Sequence, residues 1–97
     1  MTIPGKTAEP ERGKFSSPSA LWQFAMDTVV LLREAGWSEA ADTMESAARY
    51  VTSSGWEWLG ELHAATKRIE ERCNLPEDLR SRLARIRRTA ASRHPYE

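Results

Sequence analysis

A single cysteine, Cys73, stands in the 97 residues, so no disulfide can close within the chain. Small secreted domains usually rely on such bridges, so a reducing, cytoplasmic setting is expected. Histidine is almost as scarce, with His63 and His94 the only two. Cys73 follows His63 on the same predicted helix, but the two side chains point to different sides and form no Cys–His nucleophile pair. There is no H-E-x-x-H and no C-x-x-C, and the glycines stand singly, so neither a common zinc signature nor a phosphate-cradling loop is present. Glu57 and Glu61 are one helical turn apart, but a carboxylate metal cluster needs such ligands on several helices, and a solvated acidic face is expected instead. On this inventory the chain is expected to be no enzyme and to hold no metal or cofactor. Long apolar runs are also missing. The longest, Val29 to Leu32, has four residues, whereas a membrane helix needs about 20. The N-terminus lacks the apolar stretch of a signal peptide. No segment alternates apolar and polar residues or clusters β-branched ones, so no strand is predicted.

What is present suits one small globular domain: 40% hydrophobic and 29% charged residues. Fourteen basic and fourteen acidic residues cancel, which excludes a histone-like binder but not a local basic patch. Residues 1–17 hold Pro4, Pro10, Gly5 and Gly13 and only Ile3 and Phe15 as large apolar groups. Such a stretch buries too little to offset its ordering entropy, and a flexible N-terminal tail is expected. Residues 18–93 then form a single four-helix domain, and 94–97 a C-terminal tail.

Breakers divide the periodic region into four helices. The first is predicted over Pro18–Ala35, with Ser17 as N-cap, Pro18 at the first helical position and Gly36 at the stop. The second is predicted over Glu39–Thr52, capped by Ser38, with Ala40, Ala41, Met44, Ala47, Ala48 and Val51 in a narrow stripe. The third is predicted over Trp56–Arg72. Ser54 and Glu57 have the spacing of a capping box, and Trp58, Leu59, Leu62, Ala65, Ile69 and Cys73 form its apolar face. The fourth starts at Pro76, which pushes Leu75 out of the helical region, and buries Leu79, Leu83, Ile86 and Ala90. Short connections make consecutive helices antiparallel neighbours. The expected fold is all-α, a four-helix up-down bundle, with two stacked helical hairpins as the alternative.

Helix one is apolar on more than one side. With about 100° per residue, Leu21, Phe24, Ala25, Leu32 and Ala35 share one face. Trp22, Met26, Val29 and Val30 fall on a second strip roughly 80° to 180° away. That strip is a candidate interface with a second copy or a protein partner, or else it is covered by the N-terminal tail, Trp37 or Trp56. The four tryptophans, Trp22, Trp37, Trp56 and Trp58, lie mostly near helix starts, where they close the ends of a small core or anchor an interface.

Charge is unevenly spread. Residues 19–55 carry two basic and five acidic groups, whereas 76–97 carry six basic and three acidic ones. All six basic groups are arginine, and Arg80, Arg85, Arg87 and Arg88 are candidate anion-binding residues on helix four. On the helical wheel the arginines encircle the polar face instead of lining one groove. They complement the helix dipole and could pair with acidic helix two. An acidic protein partner or nucleic acid are the functional alternatives. The expectation is therefore a non-enzymatic interaction module, such as an adaptor, an immunity- or antitoxin-like factor, or an assembly subunit. The alternative is nucleic-acid or anionic-ligand binding through helix four.

Two short resemblances assign no family. Trp58-Leu59-Gly60 matches the W-x-G of the helical-hairpin proteins exported by type VII secretion, which carry it in the turn between two long helices. Here Gly60 falls inside a predicted helix. Residues 32–41 look like the helical hairpin of a tetratricopeptide unit, but the pattern does not recur.

Overall fold

In the computed structural model, residues 14–96 apart from Val51 and Ser53 are described. They hold four helices and no strand: α1 (Pro18–Glu34), α2 (Ser38–Ala48), α3 (Gly55–Arg72) and α4 (Glu77–Ala90). Each helix packs on the next in sequence, and α4 returns beside α1. That last contact closes the ring of four, so the chain is the up-down bundle and not the open stack of two hairpins. Gly60 lies within α3, away from any turn.

The helix ends follow local chemistry. Ser17 accepts a hydrogen bond from the Ala20 amide, and Pro18 occupies the first turn of α1. At the other end Gly36 has φ 93°, the left-handed conformation that stops a helix. The Trp37 amide reaches back to Leu32 O at 2.8 Å and the Gly36 amide to Arg33 O at 3.0 Å, which satisfies two terminal carbonyls. This closure carries the chain directly into α2, so Trp37, not Ser38, is the N-cap residue. Helix α2 also stops four residues earlier than predicted, at Ala48. The Trp58 indole Nε1 donates to the Ala48 carbonyl at 2.9 Å, giving that terminal group a partner from another helix. Thr52, expected inside α2, instead serves α3: its Oγ1 accepts from the Ser54 amide at 3.1 Å and donates to the Glu57 carboxylate. The capping box is thus half direct, with Ser54 Oγ accepting from the Glu57 amide, and half relayed through a threonine hydroxyl. Pro76 is the N-cap of α4, one residue before its first helical residue, and Leu75 is buried outside the helix.

The core takes most of the predicted stripes: Leu21, Ala25 and Leu32 of α1, the alanines and Met44 of α2, Leu59, Leu62, Ala65 and Ile69 of α3, and Leu79, Leu83 and Ile86 of α4. Of the other predicted members, Phe24, Trp58, Cys73 and Ala90 are only partly buried against it, and Ala35, at the end of α1, is exposed. Val51 of the predicted α2 stripe lies outside the described residues. Three buried threonines escaped the hydrophobic pattern. Thr28, Thr66 and Thr89 each donate to a carbonyl of the preceding turn, of Phe24, His63 and Arg85 respectively, so their hydroxyls enter the core satisfied.

The edges of the packed unit extend beyond the predicted 18–93. Phe15, assigned to the tail by sequence, is only 6% exposed. Its ring lies 5.2 Å from that of Phe24. Its backbone forms an isolated bridge with Tyr96, and Pro95 is buried. The C-terminal residues expected to form a tail therefore pack against the N-terminal segment. The remainder of the expected tail, residues 1–13, lies outside the described residues.

Candidate functional site

Helix α1 carries the candidate interface, and the structure divides its four residues. Val29 is 3% exposed and belongs to the core. Met26 is half-buried and packs against the core. Trp22 and Val30 face outward, 38% and 51% exposed. The interface candidate therefore contracts to Trp22, Met26 and Val30. These residues are spaced i, i+4, i+8 and make one ridge along the helix. Of the N-terminal segment, Phe15 covers Phe24 of α1, and residues 1–13 lie outside the described residues. Trp37 and Trp58 are half-buried against the core, whereas Trp56 is exposed, so the tryptophans divide between core closure and surface.

The flank of α1 toward α2 bears the acidic contacts. Arg33 reaches Asp42 Oδ1 at 2.9 Å and Glu45 Oε1 at 2.6 Å, and Arg49 Nε reaches the other Glu45 oxygen at 2.9 Å. The hydrogen bonds from Arg49 and Arg33 hold the Glu45 carboxyl below its ordinary range. The hydrogen bonds that Arg33 donates to Asp42 and Glu45 hold its guanidinium above its ordinary value.

The arginines of α4 have different neighbours from those expected. They do not pair with acidic α2, which lies diagonally across the bundle. Arg80 pairs with Glu77 one turn earlier at 2.5 Å, and that bond holds the Glu77 carboxyl low. Arg87 pairs with Glu70 of α3. Arg82 lies 4.0 Å above the Phe24 ring. It donates to Thr28 Oγ1 at 2.8 Å and to Phe24 O at 3.2 Å, both on α1. Burial lowers its guanidinium below the ordinary value, with Asp27 opposing the shift. Arg85 stacks on both rings, 4.0 Å from Phe15 and 5.0 Å from Phe24. Of the four candidate anion-binding residues, Arg80 and Arg87 therefore answer carboxylates, Arg85 lies on aromatic faces, and Arg88 is exposed. Sequence reasoning missed this cluster of Phe15, Phe24, Arg82 and Arg85. Its only sequence signal was the two phenylalanines, and they are far from the arginines in the chain.

His63 is half-buried at the edge of the α3 stripe, as its wheel position implies, and Cys73 is the half-buried C-cap residue of α3. Among the described residues no group of three or more His, Cys, Asp or Glu side chains is placed to hold a metal ion. No helix among them is long and apolar enough to cross a membrane. Comparison with known protein families, with curated proteins and with solved structures finds no match.

Proposed function

We propose that this chain is a helical protein-interaction module without catalysis of its own, and that it associates with a second copy through the outward ridge of α1. The observation that carries the reading is the exposure of Trp22 and Val30 on either side of half-buried Met26. Burying a large apolar side chain is worth about 1.5–3 kcal/mol relative to leaving it in water, so covering the ridge is strongly favoured. A straight ridge on one helix is suited to a twofold contact, because a closed dimer presents the same patch from both chains. Anion or nucleic-acid binding through α4 has less support, since three of its four candidate arginines are engaged within the chain.

Sedimentation velocity tests the proposal. The unaltered protein is expected to be a dimer at tens of micromolar. Met26→Glu combined with Val30→Glu is expected to give a monomer of unchanged helicity. A protein that remains monomeric at high micromolar concentration overturns self-association. A double variant that unfolds shows the ridge to be core and overturns the interface.

A further inference from the structure

A second surface feature lies at the end of the bundle where Phe15 meets Tyr96. Pro18 of α1, Gly55, Trp56, Trp58 and Leu59 of α3, and residues 93–96 surround an open cavity of about 440 Å³. That volume is within the roughly 300–1,000 Å³ typical of small-molecule sites.

The walls are flat and held in place. Trp58 is tied through its indole nitrogen to Ala48 O. The 92–96 segment is held by the Ser92 amide on Thr89 O, by the His94 amide on Ser92 Oγ, and by the bridge between Phe15 and Tyr96. Pro18 and Pro95 add two rigid rings. Trp56, 64% exposed, leaves an indole on the rim with a large uncovered surface.

Among the described lining residues Arg93 is the one permanent charge, exposed beside His94, and none of them bears a carboxylate. The first residues of α3 bring the positive end of that helix dipole to the same wall. Glu57, the acid of that first turn, accepts a hydrogen bond from the Thr52 hydroxyl. Burial pushes the Tyr96 phenol above its ordinary pKa, so it remains neutral and adds no negative charge.

We infer that this cavity binds a small planar anion, of the aromatic carboxylate class. Its ring would stack on Trp56 and Trp58, and its carboxylate would face Arg93 and His94. The site uses none of the α1 ridge residues, so it goes beyond the association proposed above and stands or falls separately.

The test is a titration of the full-length protein with 2-naphthoate, followed by calorimetry and by the tryptophan indole N–H resonances. One saturable site is expected. Trp56 and Trp58 should shift, and Trp22 and Trp37 should stay in place. Arg93→Ala and Trp56→Ala, both at exposed positions, are each expected to weaken binding about tenfold, as loss of a charge-assisted hydrogen bond or a stacked ring implies. The uncharged 2-naphthamide should bind about tenfold more weakly than the acid. The Met26→Glu, Val30→Glu protein should bind 2-naphthoate normally, which separates this site from the ridge. No saturation up to millimolar ligand, equal binding of acid and amide, or shifts confined to Trp22 would each overturn the inference. So would a ring-free acidic peptide, acetyl-Glu-Glu-Glu-amide, binding as tightly as 2-naphthoate.

Discussion

Toward α2, helix α1 lies on alanine; toward α4, it lies on arginine and phenylalanine. Helix α2 buries Ala40, Ala41, Ala47 and Ala48 around Met44, with Ala47 also lining a groove beside Ala65 of α3. Small side chains let two helix backbones approach closely, and the ion pairs from Arg33 to Asp42 and Glu45 lie along the surface of that seam. On the arginine side, Phe24 and Arg82 are wedged between the helices and Arg85 joins Phe24 to Phe15. An open groove of about 500 Å³ remains there, lined by Phe24, Leu31, Asp78, Ser81, Arg82, Arg85 and Arg88. The contrast shows two ways to close a small bundle. One relies on the absence of side-chain bulk, and the other on cations that cover aromatic rings while donating to backbone carbonyls.

The sharpest way to break the comparison is at Phe15. Phe15→Ala is expected to destabilise the fold by about 3 kcal/mol, since a buried aromatic is lost and Arg85 loses one of its two rings. Urea unfolding measures it, and a loss below about 1 kcal/mol would return Phe15 to the tail. The alanine seam is tested by adding bulk. Ala41→Leu should cost about 1–3 kcal/mol by forcing α1 and α2 apart, whereas a neutral outcome would mean that the seam has slack. The smallest effect concerns charge. Glu45 is held below its ordinary pKa by Arg49 and Arg33, so its ion pairs contribute above the unfolded carboxylate pKa and are lost as pH falls through the folded one. Hydrogen exchange at pH 3 against pH 6, corrected for intrinsic rates, should show lost protection at the α1–α2 seam. The Arg82 hydrogen bonds end on a hydroxyl and a carbonyl, with Asp27 acting only through space, so protection there should fall less. Equal loss at both seams would contradict the distinction.

The helices were legible because their signals are local. Ser17 with Pro18, Gly36, Ser54 and the Leu75–Pro76 pair act within one turn of the backbone they shape, and each falls at or beside an observed helix end. The boundary that lies furthest from its predicted place was set from a distance. The end of α2 depends on Trp58, ten residues on, and on Thr52 serving the next helix. The candidate ridge was legible in part. A wheel identifies a second apolar strip on α1 but not which of its edges meets a neighbour, so Val29 was grouped with Trp22 and Val30 although only the latter two are exposed.

Composition and periodicity by themselves determined an all-α chain of four helices, most apolar members of each buried stripe and the uneven distribution of charge, because these depend on residues within a few turns of one another. Tertiary structure alone decided that Phe15 and Tyr96 join the packed unit, and that Arg82 and Arg85 face phenylalanines. It also decided that Trp56 and Trp58 share a cavity with Arg93 and His94. The physical reason is that these contacts join segments about 35 to 81 positions apart only after the ring of helices has closed, as the Arg82–Thr28 separation of 54 residues illustrates. A cation over a ring has no sequence period to announce it.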